Sequence, residues 1–397
     1  MNRPFAGQVP TLWSGSGITG EVLQRIIGAR DAIVVADRHV PAANALSTCW
    51  RSIQLDPSQL DIDTVIDLAS EFSRSRPEIV IAVGGGTIVD AAKIAALGAR
   101  SGNAFTYLVE HAVRSGLTIL PPGEPTTDVI AIPTTVGTSS ETNSVGILKT
   151  LDGYRLIVGR SLRPRYAIID SDNLMSLPDS ALRAGAFEAL LRVAGISTNS
   201  RGTERARQDA VSIGQAIIEA AKSDLGSPAT RLRIARLSAA TQRSGALRGR
   251  NPYAARHWYV ANEVAFSLAV PKMVATAAIV SAIWQRVCIG DQRWGVRESL
   301  EGFWRAVTEG TTLSPDPVEG IESLIETWGL QRPPRPNELR IRAIALATEI
   351  AWGNRHPMLR GIGELDVREI LEESLWDADG PGQQSGQSLL AIEGVNK

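Results

Sequence analysis

Ile79-Val80-Ile81-Ala82-Val83-Gly84-Gly85-Gly86-Thr87-Ile88-Val89-Asp90-Ala91-Ala92-Lys93 is the stretch on which the fold of this 397-residue chain turns. Its first five residues are apolar and predict a strand buried on both faces, as in a parallel sheet. Three glycines follow. Thr87 then opens a helix as its expected N-cap, with Asp90 three residues on in a capping-box position. Without Cβ atoms, a turn lets a ligand lie against the backbone. The free N–H groups and positive dipole end of the helix then face an anion, usually a phosphate. The same glycines also suit a tight βα turn with no ligand.

Toward the N-terminus, Leu12 to Gly17 predicts a short edge strand leading into a helix, Gly20 to Ile27. Ala32 to Ala36 predicts a buried strand with Asp37 at its carboxyl end. Ligands of open α/β sheets bind outside such ends, where a carboxylate accepts hydrogen bonds from a ribose diol. Asp37 would serve equally as a helix cap. Leu55 to Ser75 predicts a helix before the Ile79 strand. The order is β-α-β-α-β-α, a doubly wound pattern.

Toward the C-terminus, residues 98–127 are rich in Gly, Pro, Ser and Thr and predict irregular chain. Val129 to Ile132 predicts a strand running into Pro133-Thr134-Thr135-Val136-Gly137-Thr138-Ser139-Ser140-Glu141. The hydroxyls and backbone N–H groups of that loop suit a pyrophosphate or a nicotinamide amide. Val145 to Leu148 and Arg155 to Val158 predict a hairpin-like pair, and Arg165 to Asp170 the last strand. Seven segments then carry helical periodicity: Ala181 to Ile196, Glu204 to Lys222, Thr230 to Arg243, Tyr259 to Val287, Arg297 to Thr308, Glu319 to Gly329 and Asn337 to Trp352. Seven of the nine tryptophans lie beyond residue 250, which suits core packing. The tail from Asp377 has the composition of a flexible segment.

Composition narrows the functional classes. A formal net charge of −1 gives no electrostatic case for nucleic acid or an anionic membrane. Cys49 and Cys288 are far apart and form no metal-type cluster, so a reducing cytoplasm is the expected compartment. The first fifteen residues hold no apolar signal core, and no apolar run reaches membrane-span length. Four histidines are too few for a His-rich metal site.

VIAVGGGTIVDAAK, VIAIPTTVGTSSE, RLIVGRSLRPRYAIID with NLMSLP, and LRAGAFEALLR follow one another in order. Together they resemble the superfamily of iron-containing alcohol dehydrogenases and dehydroquinate synthases, which also holds glycerol-1-phosphate dehydrogenases and sugar phosphate cyclases. The likeness covers Asp37 to Arg192 and weakens toward residue 375. It implies an NAD(P)-binding α/β domain over residues 1–178, with a mainly parallel, doubly wound sheet. An all-helical domain over 179–376 and a tail over 377–397 follow, with the active site in the cleft between the domains. It also implies that Asp37, Gly85, Gly86, Thr87, Asp90, Thr134, Thr135 and Thr138 line the dinucleotide. Arg155 joins that set at the place where the cyclases carry a lysine. Asp37 favours NAD(H) over NADP(H) by repelling a second phosphate, and Arg38 beside it weakens that preference. A small-molecule substrate and a homodimer complete the expectation.

The helical half of such relatives supplies ligands for a divalent metal. Here Glu188 fits the carboxylate position, but Arg192 stands at a dehydrogenase histidine and a guanidinium has no usable lone pair. His257 falls on or beside the first late histidine, and Lys272 replaces the next one in Val270-Pro271-Lys272. Two cations beside a dication are unfavourable in a partly dry cleft, so no metal is expected. Each residue also has an ordinary role: Glu188 paired with Arg192 on a helix surface, His257 as a core histidine, Lys272 solvated. Only five of 41 basic residues are lysines, which gives Lys272 weight. An ammonium can deprotonate when crowded and so act as acid, nucleophile or fixed charge.

Three functions follow as candidates. The first is a metal-independent NAD(P)H oxidoreductase acting on a carbonyl or imine, with Lys272, His257, Arg192 and Glu188 as catalytic residues. The second is a dehydroquinate-synthase-like cyclase or lyase using NAD transiently. The third is a non-catalytic NAD-binding protein.

Overall fold

The computed structural model describes residues 11–99, 103–123, 127–199, 202–353 and 356–377. The tail expected from Asp377 onward lies, Asp377 apart, outside the described residues. The first half runs β1 (Thr11–Gly15), α1 (Thr19–Ile27), β2 (Ala32–Asp37), α2 (Pro41–Ser47), β3 (Arg51–Leu55), α3 (Ile62–Ser75), β4 (Ile79–Gly84) and α4 (Gly86–Ala96). It continues with α5 (Asn103–Ala112), β5 (Leu117–Ile119), β6 (Asp128–Pro133), β7 (Val145–Thr150), β8 (Gly153–Val158) and β9 (Tyr166–Asp170).

Six strands form a parallel sheet in the order β1-β9-β6-β4-β2-β3. Ile79, Ile81 and Val83 of β4 join a core with Val34, Ile130 and Leu23 of α1. Val80 and Ala82 join the opposite core with Phe72 of α3 and Ile88 of α4. Burial on both faces is why the strand carries no polar residue. A second sheet, in the order β5-β8-β7, pairs β5 parallel and β7 antiparallel to β8.

Several expectations in this half are corrected. Leu55 to Ser75 is not one helix. Leu55 ends β3, Pro57–Gln59 is a 3₁₀ turn, and the Asp61 carboxylate accepts the Thr64 N–H to cap α3. β3 escaped notice because it is an edge strand with Arg51 and Gln54 exposed, so it has no apolar run. Residues 98–127 are not wholly irregular: they hold α5 and β5.

The second half is helical among the described residues. It comprises α6 (Asp179–Ser197), α7 (Glu204–Lys222), α8 (Pro228–Arg243), α9 (His257–Leu268), α10 (Lys272–Cys288), α11 (Arg297–Thr308), α12 (Pro317–Thr327), α13 (Glu338–Trp352) and α14 (Glu364–Glu373). α6 is its axis, buried almost without interruption from Gly185 to Ser197. The span Tyr259 to Val287, expected as one helix, is two. Ala269 closes α9 in the left-handed region (φ +52°), and Pro271, which has no N–H to donate, precedes α10. The break makes Lys272 the first residue of α10.

Candidate active site

The carboxyl ends of β4 and β6 carry two loops that pack against each other. α4 starts at Gly86 with Gly85 as its N-cap, so Thr87 is the second helical residue and not the cap. Thr87 is exposed and both glycines are half-buried, leaving the first-turn N–H groups at an open surface. Packing supplies a further reason for glycine here. A Cβ on Gly86 would come within 2.7 Å of Thr138 Cγ2 and 2.8 Å of its Oγ1, and one on Gly85 within 3.2 Å of Thr135 Oγ1. Thr134 N–H donates to Gly84 O at 3.0 Å, while its buried Oγ1 has no partner. At the neighbouring strand end, Asp37 accepts the His39 N–H at 2.9 Å and Arg38 is paired with Asp56.

Asp90 does not close a capping box. Its carboxylate accepts from Ser140 Oγ and from the Ile147 N–H (2.9 Å), and it pairs with Lys93 at 2.8 Å. Lys93 is fully buried and donates to Ser140 O (3.1 Å), Ser140 Oγ (2.7 Å), Asn143 Oδ1 (3.1 Å) and Val145 O. Burial pulls its ammonium pKa down and Asp90 opposes that. Asp90 and Lys93 therefore fasten the second loop to α4.

The helical half grips the same loop from the opposite side. Arg192 donates to Gly137 O (2.6 Å), Thr138 O (3.1 Å), Ser139 Oγ (3.1 Å) and Thr241 Oγ1 (2.9 Å). Ser238 of α8 accepts from Ser139 Oγ through its carbonyl (2.8 Å) and from the Gly137 N–H through its hydroxyl (3.0 Å). α6 comes close enough that a Cβ on Gly185 would lie 2.5 Å from Val136 O. Gly137 has φ +109°, and a Cβ there would lie 2.9 Å from Glu188 Oε2. Glu188 and Arg192 are 3.8 Å apart.

Two helix starts deliver the remaining candidates. His257 opens α9 and is 2% exposed. Burial first, and the Lys272 charge second, push its pKa down to about 3, so the imidazole is neutral, and its Nε2 has no partner. The Lys272 ammonium lies 4.7 Å from the centroid of the Trp258 ring. Burial lowers its pKa; Glu188 opposes this and Arg192 adds to it. The helix-dipole end at Lys272 also disfavours an added positive charge. Glu141, buried behind the second loop, is raised to about 7, chiefly by burial.

The structure thus gathers Glu188, Arg192, His257 and Lys272 where the cofactor-type loops meet the helical half. Their chemistry does not fit a divalent metal: one carboxylate and one imidazole face two cations. Among the described residues, no group of three His, Cys, Asp or Glu side chains is placed to hold an ion. The open glycine helix start, the unpartnered Thr134 hydroxyl and Asp37 do fit a dinucleotide. Arg155 is held elsewhere. Its Nε donates to Ala112 O at 2.9 Å, its Nη2 lies 4.0 Å from Asp152 Oδ2, and the Glu263 carboxylate of α9 also faces it. Sequence reasoning missed Lys93, Ser139, Ser238 and Thr241. The scarcity of lysine that singled out Lys272 also marks Lys93, whereas nothing local marks the two residues of α8.

The family model for iron-containing alcohol dehydrogenases matches residues 11–171. A mitochondrial hydroxyacid-oxoacid transhydrogenase of Caenorhabditis briggsae is 32% identical over 198 residues, 45% of this chain and 41% of that one. Phosphonoacetaldehyde reductase of Streptomyces viridochromogenes is 31% identical over 192 residues, 47% of this chain and 48% of that one. The matches span less than half the length of these curated relatives. Similarity of fold extends further. NADH-dependent butanol dehydrogenase A of Thermotoga maritima superposes with a TM-score of 0.78 at 16% identity, covering 94% of this chain and 98% of that one. Sulfoacetaldehyde reductase of Bifidobacterium kashiwanohense, solved with NAD⁺, gives 0.71 at 17% identity, covering 92% and 96%.

Proposed function

We propose, from the premise that the chain belongs to the iron-containing alcohol dehydrogenase family, that it is an NAD(H)-dependent oxidoreductase in which Lys272 takes the place of a metal. The substrate class is a small carbonyl or imine compound and its alcohol or amine. The observation that carries the reading is the meeting of an ammonium, a neutral imidazole and a carboxylate beside the two dinucleotide-type loops. A nicotinamide cofactor supplies the hydride.

The chain's own residues do the rest. The N–H groups at Gly86 and Thr87 bind phosphate, and Asp37 accepts from a ribose hydroxyl. Arg38, engaged with Asp56, is drawn away from that ribose, which supports NAD(H) over NADP(H). Arg192 spends its donors on Gly137, Thr138, Ser139 and Thr241, so it is a positioning residue for the second loop. Lys272 donates a hydrogen bond to the substrate oxygen, stabilises the charge that develops there and delivers a proton. Its pKa, lowered by burial, makes that delivery easier. Glu188 keeps enough of the ammonium protonated to act. His257, buried and neutral, sets no further charge beside Lys272.

The test is NADH consumption on a panel of aldehydes, ketones and imines, with elemental analysis of the same preparation. Lys272→Met is expected to lower turnover by about two to three orders of magnitude while NADH affinity stays within twofold. Stoichiometric zinc or iron, with turnover lost on chelation and restored by the metal, would show that Lys272 does not have this role. NADH binding with no turnover on any substrate would favour a non-catalytic protein.

A further inference from the structure

A cavity of about 580 Å³ opens where the C-terminal end of α6 meets the first turns of α7 and α11. None of the residues lining it belongs to the cleft described above. One wall is apolar, built by Val211 and Phe303, with the Ser299 hydroxyl beside them. Arg250 forms part of another wall and is 9% exposed. Its Nη1 donates to Ile196 O at 3.1 Å, but its Nε and Nη2 are sealed from solvent without an acceptor. Arg207, also in the lining, adds a second positive charge, and burial together with that charge lowers the Arg250 pKa.

Burying a guanidinium with two idle donor nitrogens is unfavourable until an acceptor arrives. A planar donor fork matches a carboxylate in two hydrogen bonds. The first turn of the 19-residue helix α7 adds the positive end of its dipole. Two carboxylates, Glu204 and Glu298, also line the cavity and are exposed. Glu204 is paired with Arg207 at 2.8 Å. Their presence disfavours a dianion, so a single negative charge is the better match.

We propose that this cavity is a second ligand site, separate from the cleft, for a small organic carboxylate with an apolar body. The head group is taken up as Arg250 turns its idle Nε and Nη2 into the cavity, and the body lies against Val211 and Phe303. Gly302 supplies the means of testing it, because a Cβ added there meets nothing within 4 Å. A large side chain at Gly302 therefore fills the cavity without displacing a neighbour at its root.

The experiment is calorimetric titration of the full chain with 3-phenylpropionate, and with 3-phenylpropanamide as the uncharged control. The wild type is expected to bind one equivalent of the acid with Kd of about 1 mM or tighter, and the amide at least tenfold more weakly. Arg250→Met and Gly302→Trp, each checked for native circular dichroism, are both expected to weaken the acid at least tenfold and to leave NADH affinity unchanged. Undiminished binding in Gly302→Trp would place the acid in the cleft and overturn the proposal. Equal affinity for acid and amide would do the same, as would no binding by the wild type. Should Arg250→Met lose native structure, Gly302→Trp decides alone.

Discussion

Gly86 shows how much a single residue leaves unsaid in sequence. That the turn after Ile79 to Val83 required glycine was legible, since a run of three glycines between an apolar strand and a helix has few other uses. Why Gly86 in particular was not legible, because its neighbour Thr138 lies 52 positions away and reaches it only once both strands are paired. Gly86→Ala is therefore expected to lower stability by about 1–3 kcal/mol through overpacking. Gly86→Ala with Thr138→Ala is expected to recover at least half, since Cγ2 and Oγ1 are the closest atoms. Urea melts of the two single variants and the double variant measure the coupling; additive losses would show that the two loops are not in contact. Lys272 is the opposite case. Its position in Val270-Pro271-Lys272 flagged it, but that it begins a helix and lies over Trp258 emerged only from the fold.

Elements were legible in proportion to their burial. β2, β4 and β6 are enclosed on both faces and announced themselves as apolar runs, whereas of the four edge strands β1 and β7 were read and β3 and β5 were not. The α9–α10 break was hidden because apolar periodicity continues across it; one left-handed alanine and one proline suffice to turn the chain. At this scale the second loop is a segment with two captors, α4 through Asp90 and Lys93, and α6 through Arg192. Arg192→Met strips the donors from two carbonyls and two hydroxyls at once. It is expected to cost roughly 3–5 kcal/mol and to weaken NADH binding at least tenfold. Arg192→Lys, which restores the charge but not the fork, should recover only part of either loss. NADH affinity equal to wild type in Arg192→Met would show that the loop's shape does not depend on the clamp.

For the whole molecule, a buried carboxylate links the two halves. Glu263 of α9 accepts the Trp352 Nε1–H of α13 at 2.8 Å and faces Arg155 of β8. Burial raises its pKa to about 7, against the partial opposition of Trp352 and Arg155. In the unfolded chain it ionises near 4.5. Between those values the folded state holds the extra proton, so the contribution to stability is full below about 4.5 and falls as pH rises to about 7. Glu263→Gln keeps an acceptor for Trp352 and removes the titration. Comparing unfolding free energies at pH 5 and pH 8, the variant is expected to lose less than the wild type, by up to about 3 kcal/mol. A wild type and variant with parallel pH profiles would remove Glu263 from the account. Glu141, also raised to about 7, adds a second falling contribution that Glu263→Gln leaves in place.

The grip of Arg192 and Ser238 on the second loop bears on modularity. A fragment ending at Pro178 would carry every strand of both sheets and all the residues expected to touch a dinucleotide. It would lack α6 and α8, so the Gly137 and Thr138 carbonyls, the Ser139 hydroxyl and the Gly137 N–H would lose their partners. The nucleotide-type half is thus not a portable cassette. Grafted elsewhere, it would have to bring along a helix with an arginine at the position of Arg192, or present its ligand with a loop fastened on one side only, by Asp90 and Lys93.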